Sequence, residues 1–399
     1  MRAPLRTLAA SALAVGALAA PAQAEPSGSQ YLLGDDAEVS YPDIAFDTSG
    51  RALTVWQEQD RSTGGKVVRG REVTAAGPSS GPDTLAGPAP TTVPAVAHGL
   101  RGHVLVWSEH GSIRSKLADA RTARTVAEAA EGESLSDPAI THNPANGEFL
   151  VAWTRSRGES VSHVMTRRLS AEGVPRGDQY RPADLSGRNE EPDVTATSGG
   201  YLVVWQRVVG NLGNDGLEIH GQRITTANRE TGSDDFKISS HRNLAGRTLN
   251  RYPAVAWNPS RREALVVFSD GYEAFAQRLS ASASRIGSNA RLSKMGPDGD
   301  RRYTVGRVDV AFSARAGGYL VTWISNNEVD DDAPQMNVFG QHLSGSGSQV
   351  GENDFRISTE SYLDYLDDLA VAADPSSRDY VALWAVGEIG VYGRRIGAP

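Results

Sequence analysis

From Tyr201 to Trp205 the chain reads Tyr-Leu-Val-Val-Trp, apolar on both faces of an extended strand. A strand apolar on both faces is buried on both faces. Runs of this kind recur seven times and close on an aromatic at Trp56, Trp107, Trp153, Trp205, Phe268, Trp323 and Trp384. Each follows, by 11 to 13 residues, a run of the form x-P-x-(V/I)-A centred on Ile44, Val96, Ile140, Val194, Val255, Val310 or Val371. In these first runs Ile44/Phe46, Val96/His98 and Val255/Trp257 share one face. The other face keeps small residues, Ala45, Ala97, Thr141, Thr195, Ala256, Ala311 and Ala372, which let neighbouring sheets approach closely. Turn residues such as Asp47-Thr48-Ser49-Gly50 and Ser198-Gly199-Gly200 join the two runs.

A third run follows in every unit, for example Ile219-His220-Gly221-Gln222-Arg223-Ile224 and Val338-Phe339-Gly340-Gln341-His342-Leu343. It is weak in the second unit, at Ile113 to Leu117. A fourth, shorter run is clear at Phe236 to Ser239, Ala290 to Ser293 and Phe355 to Ser358, and blurred in the first three units. Four strands per unit, with aromatics 46 to 63 residues apart, predict an all-β, seven-bladed β-propeller. Immunoglobulin-like domains need about 100 residues each, and leucine-rich repeats only about 20–29. The last unit stops after its third run, at Gly390 to Ile396. Residues 29–34, Ser-Gln-Tyr-Leu-Leu-Gly, are a spare strand before the first unit. They are expected to complete the last blade, so that an N-terminal strand closes the ring and protects its edges.

Composition narrows the setting. The 399 residues include 42 glycines and 20 prolines, usual for a turn-rich β protein, and no cysteine. The absent cysteines exclude disulfides, zinc ribbons and thiol nucleophiles. Closure by a shared strand would do the work of a disulfide. Residues 1–24 have Arg2 and Arg6, an apolar run from Leu8 to Ala20, and Ala22-Gln23-Ala24 as a cleavage site. They are read as a signal peptide, with residues 25–399 as one propeller domain, secreted and monomeric, with no membrane span. A net charge of −8 argues against nucleic acid as a partner.

Candidate chemistry lies in loops of variable length after the second run and between units, a pattern suited to a binding face. His241, Arg251, Tyr252, Arg302, Tyr303 and Tyr365, with Tyr41, Arg242, Arg301 and Tyr362 nearby in the repeat, are the ligand-binding candidates. Arginine forks grip carboxylates and sulfates, and tyrosines stack on sugar rings. Tyr41 and Tyr252 hold the same repeat position, which also fits a packing role. Asp43, Asp193 and Asp309 share another position. They are expected to bond local backbone at a strand start, with a cation in the channel as the alternative. Calcium is the one metal considered, at Asp330, Asp331 and Asp332 or at Asn211 to Asp215, where oxygen ligands concentrate. No H-E-x-x-H, G-x-S-x-G, P-loop or dinucleotide motif occurs.

The segment Pro42-Asp43-Ile44-Ala45-Phe46-Asp47-Thr48-Ser49-Gly50-Arg51 resembles the turn of bacterial TolB-like or PD40-type propeller repeats. The fuller unit, P-x-V-A followed by Y-L-V-V-W and I-x-G-Q-R-(L/I), resembles repeats of exported actinobacterial propellers. The likeness spans residues 30–399 and implies fold more than activity, since such propellers include protein-binding modules, lectins and uronic-acid polysaccharide lyases. The first expectation is a non-catalytic propeller that binds an extracellular glycan or protein. The alternative is a polysaccharide lyase or glycoside hydrolase acting on an acidic polysaccharide through an Arg/Tyr/His site at the channel mouth.

Overall fold

The computed structural model describes residues 28–35, 38–89, 93–210, 216–242, 248–296, 300, 302–326, 335–363 and 366–399. Every regular element among them is a β-strand, arranged as seven antiparallel sheets. The first, channel-lining strands are Val39–Phe46, Pro94–Gly99, Glu133–Asn143, Asn189–Thr197, Arg251–Asn258, Val305–Ser313 and Leu366–Ala373. The outer strands are Asp83–Ala89, Arg124–Glu128, Pro175–Tyr180, Glu230–Lys237, Arg285–Arg291 and Gln349–Arg356, with Tyr31–Asp35 in the seventh blade. The protein is a seven-bladed β-propeller.

The closing strand comes from the N-terminal side, as the repeat count requires. Tyr31–Asp35 pairs antiparallel with Gly390–Ile396, Tyr31 opposite Gly393. A Cβ at Gly393 would stand 2.5 Å from the Tyr31 ring, so this glycine is a contact surface. Leu33 is buried between the first and seventh blades. The Arg394 Nε donates to the Gly28 carbonyl at 2.9 Å, and Arg71 Nη1 donates to the Leu33 carbonyl at 2.8 Å.

Seven hydrophobic clusters fill the seven blade interfaces, one each. The anchor aromatics lie in them, no more than 2% exposed. Each faces the preceding blade: Trp153 packs with Val104 and Val106 of blade two, and Trp323 with Leu265 and Val267 of blade five. Burial of a side chain this size contributes about 2–3 kcal/mol. A two-sided apolar strand is therefore needed once per blade, which is the period in the sequence.

The outer strands differ from the sequence expectation in one respect. Phe236 to Ser239 and its equivalents are strand ends, with most of each outer strand before them. Their serines bond the third strands where pairing stops. Ile219, Ala274 and Val338 N–H groups donate to Ser239, Ser293 and Ser358 Oγ at 2.9, 2.8 and 3.2 Å. Outer strands that looked blurred in the first three units are present in all three.

Candidate functional site

The x-P-x-(V/I) run builds the channel. Pro cannot donate to a ladder, and the first strands bulge at it. Register shifts fall between Ser40 and Asp43, Ser136 and Ala139, Glu190 and Asp193, and Arg251 and Ala254. The residue before each of these prolines is left-handed: Tyr41, Asp137, Glu191 and Tyr252 have φ of 52°, 50°, 52° and 53°. Such a conformation costs a bulky residue roughly 1–3 kcal/mol. Arg307 and Asp368 hold the same position in blades six and seven, without a following proline.

One step deeper lie Asp43, Asp193 and Asp309. Each carboxylate accepts its own following N–H, from Ile44, Val194 or Val310, at 2.7–2.8 Å. Its second oxygen accepts an N–H of the next blade, from Val96, Val255 or Val371, at 2.7 Å. The expected backbone bonding is present and reaches further, stapling blade one to two, four to five and six to seven. These are edge strands, whose inward N–H groups have no neighbouring strand. Three aspartates therefore satisfy six of the seven blades. Removal from bulk water pushes Asp43 up to about 7 and Asp193 up to about 6, against the backbone donors. Asp309 is raised too, by burial and then by Asp193.

Above this ring the channel narrows to a throat. Tyr41, Asp137, Glu191, Tyr252, Arg307 and Asp368 line a cavity of about 340 Å³ that Asp43, Asp193 and Asp309 also reach. Arg307 crosses it, with Nη1 3.0 Å from Glu191 Oε2 of blade four and Nε 2.5 Å from Asp368 Oδ1 of blade seven. Its guanidinium lies 4.8 Å over the Tyr252 ring, and Arg251 covers the same ring at 5.2 Å. Burial alone would lower the Arg307 pKa; Asp368 and Glu191 more than offset it, and the value lies above the ordinary one. Asp137 bonds Ser136 Oγ at 2.8 Å. Burial, then the charge of Glu191, pushes its carboxyl up to about 6.

The throat opens into a vestibule of about 940 Å³ lined by every blade except the fourth. Tyr41, Asp137, Tyr252, Arg307 and Asp368 form its floor, and Gln57, Ser108 and Glu388 belong to its wall. That volume is within the range of small-molecule sites.

The residues singled out from sequence separate into three groups. Arg251 and Tyr252 line the vestibule. Tyr41 and Tyr252 face the channel, a correction to the packing role their shared position suggested. His241, Arg302 and Tyr303 are not among the vestibule residues. The His241 ring stacks on Phe275 at 3.9 Å with Nε2 2.9 Å from Asp270. Arg302 pairs with Asp300 at 2.6 Å, and the Tyr303 ring covers Gly296. Tyr362 is buried, its hydroxyl 3.5 Å from the Trp384 indole nitrogen. Tyr365, Arg301, Asp330, Asp331, Asp332 and Asn211 to Asp215 lie outside the described residues, as does the signal segment 1–24. Elsewhere, carboxylate oxygens of Asp184, Glu230 and Asp234 come within 4.8 Å of one another. All three are exposed, and solvated acids at that spacing need no ion.

Asp137, Glu191, Arg307 and Asp368 escaped the sequence reading, although they occupy the x of the repeat. The available signal was that x is charged or aromatic in six of seven copies.

No family model matches the chain, and no curated protein matches it in sequence. Solved structures do. A Dyadobacter fermentans protein of unknown function has a TM-score of 0.52 at 8% identity, covering 95% of this chain and 99% of that one. An α-L-arabinofuranosidase from Fusarium graminearum has a TM-score of 0.50 at 10% identity, covering 74% and 93%. A chain of a mitotic checkpoint complex has a TM-score of 0.50 at 12% identity, covering 98% and 99%. At such identities the likeness is one of propeller fold.

Proposed function

We propose that this is an exported, monomeric propeller that binds an extracellular glycan end-on in the vestibule, without turning it over. The observation that carries the reading is the 940 Å³ vestibule, floored by two tyrosines and ringed by paired polar groups. Sugars need an aromatic face beside fixed donors and acceptors. Tyr41 and Tyr252 are held in a strained backbone form three blades apart on an ion-paired ring, which fixes their direction. The Arg251 and Tyr252 part of the sequence-derived patch belongs to this site. A glycan array probed with the mature protein tests it. Binding that Tyr252→Ala abolishes supports the reading, and an array left blank by folded protein overturns it.

A second reading is glycoside hydrolysis. Asp137 is raised to about 6 while its neighbour Glu191 is ion-paired to Arg307, so adjacent carboxyls sit in unlike environments. Because the Fusarium structure is that of an α-L-arabinofuranosidase, arabinan is the first polymer to assay. Release of reducing sugar that Asp137→Asn removes would establish turnover. Binding without release retains the first reading.

A further inference from the structure

We propose that the throat recognises a protonated amine on its ligand, so that the glycan bound is one carrying free amino groups. The inference rests on the vestibule being the binding site.

The argument begins with charge. At the vestibule rim the ionisable side chains balance: Lys66 pairs with Glu38 at 2.6 Å, and Arg251 and Glu388 add one charge of each sign. At the throat they do not. Asp137, Glu191 and Asp368, with Asp43, Asp193 and Asp309 deeper in the same cavity, face a single guanidinium, Arg307. That guanidinium is committed to Glu191 and Asp368, on the side of blades four to seven. Asp137, on blade three, has no cation within ion-pair distance among the described residues. The Ser136 hydroxyl donates to it at 2.8 Å, and the Thr154 hydroxyl and the more distant Arg307 charge only partly favour its ionised form. An ionised carboxylate removed from bulk water and left unpaired is costly.

Shape agrees with charge. The vestibule omits blade four and its Glu191, and reaches the throat along Tyr41, Val93 and Asp137 of the first three blades on one side and Tyr252, Arg307 and Asp368 on the other. Tyr41, Val93 and Asp137 offer an aromatic ring, an apolar wall and a carboxylate. An alkylammonium or amino-sugar group needs this set, because the ring attracts the cation and the carboxylate neutralises it. Tyr41 belongs to the same field: after burial, the charge of Asp368 is what raises its hydroxyl most, with Asp137 and Glu191 adding to it. The same excess of carboxylates repels a uronate or sulfate. The acidic polysaccharide expected from the arginines is thus the wrong class for this site.

The experiment is titration calorimetry with glucosamine hexasaccharide, its fully N-acetylated counterpart and cellohexaose. It uses wild-type protein, Asp137→Asn, and the control Glu172→Gln, an exposed acid outside the vestibule, each checked for folding by circular dichroism. At about pH 6.5, above the Asp137 value and with the sugar amines still largely protonated, the amine-bearing sugar should bind roughly tenfold or more tightly than the acetylated one. That preference should vanish in Asp137→Asn, weaken at about pH 4.5 where Asp137 is protonated, and survive in Glu172→Gln. Equal binding of all three sugars overturns the amine inference and leaves the glycan site standing. A preference unchanged in Asp137→Asn also overturns it. If none of the three binds, the amine inference fails, and the glycan array then decides whether the vestibule binds any sugar.

Discussion

The channel carries two sets of carboxylates, two residues apart in the same repeated run, and they are satisfied in opposite ways. Asp43, Asp193 and Asp309 spend both oxygens on backbone N–H groups, one in their own blade and one in the next. Asp137, Glu191 and Asp368 stand at the mouth of the cavity, where Glu191 and Asp368 share a single arginine. The inner set is architecture, because its partners are main-chain groups that every propeller edge strand leaves facing the channel. The throat set is held mainly by side chains, and it opens on solvent through the vestibule. Two acids in near-identical local sequence therefore differ in role according to which atoms the ring brings opposite them.

Both sets presuppose a closed ring, so removing the closing strand has the largest expected effect. Deleting residues 28–35 exposes the faces of blades one and seven and should cost at least about 5 kcal/mol. An unchanged thermal midpoint would show that the ring closes some other way.

Next, Asp309→Ala leaves the Val310 and Val371 N–H groups without acceptors. It should destabilise the fold by about 1–3 kcal/mol in urea titration while leaving glycan affinity intact. A change in affinity with unchanged stability would reverse the roles given to the two sets.

The inner set also makes a pH statement. The folded-state pKa of Asp193 is raised to about 6. The folded protein therefore holds this proton more tightly than the unfolded chain does. Its contribution is full below about pH 4 and is lost as pH rises through about 6. The stability of wild type relative to Asp193→Asn should fall by about 2 kcal/mol between these limits. Buried His342, lowered to about 4 by burial, acts in the opposite sense on both proteins and cancels in the difference. A flat difference would remove the titration from this site.

The smallest stability effect is expected at the throat. Arg307→Met frees Glu191 and Asp368, but 29% of the arginine side chain is exposed to the cavity. Water then screens the liberated charges, and the cost should be about 1 kcal/mol. Glycan binding should weaken by more than stability does, because the Tyr252 ring loses one of the two cations that hold it. Equal losses of stability and binding would make the throat architectural after all.

Much of the fold was legible because its causes are local and repeated. A two-sided apolar strand with a terminal aromatic recurs once per interface, and each anchor does fill one interface. The missing seventh outer strand and the spare Tyr31 to Gly34 run were both visible in the chain. The site was less legible. Tyr252 and Arg251 were found because aromatic and basic residues attract notice in a loop. Asp137, Glu191, Arg307 and Asp368 were passed over because x differs in kind from copy to copy. The strand ends at Phe236 and its equivalents were misplaced because Phe-x-Ile-Ser reads as a strand, whereas its serine bonds a neighbouring strand where pairing stops.

By itself the sequence determined the number of blades, the aromatic layer between them and the strand that closes the circle, since each depends on a periodicity that side-chain burial imposes along the chain. Only the tertiary structure decided which charges meet. Residues 41, 137, 191, 252, 307 and 368 lie far apart in the chain and face one cavity only because a closed ring turns one repeat position into one circle of side chains. Their pairing follows from distances across that circle, and nothing along the chain encodes them.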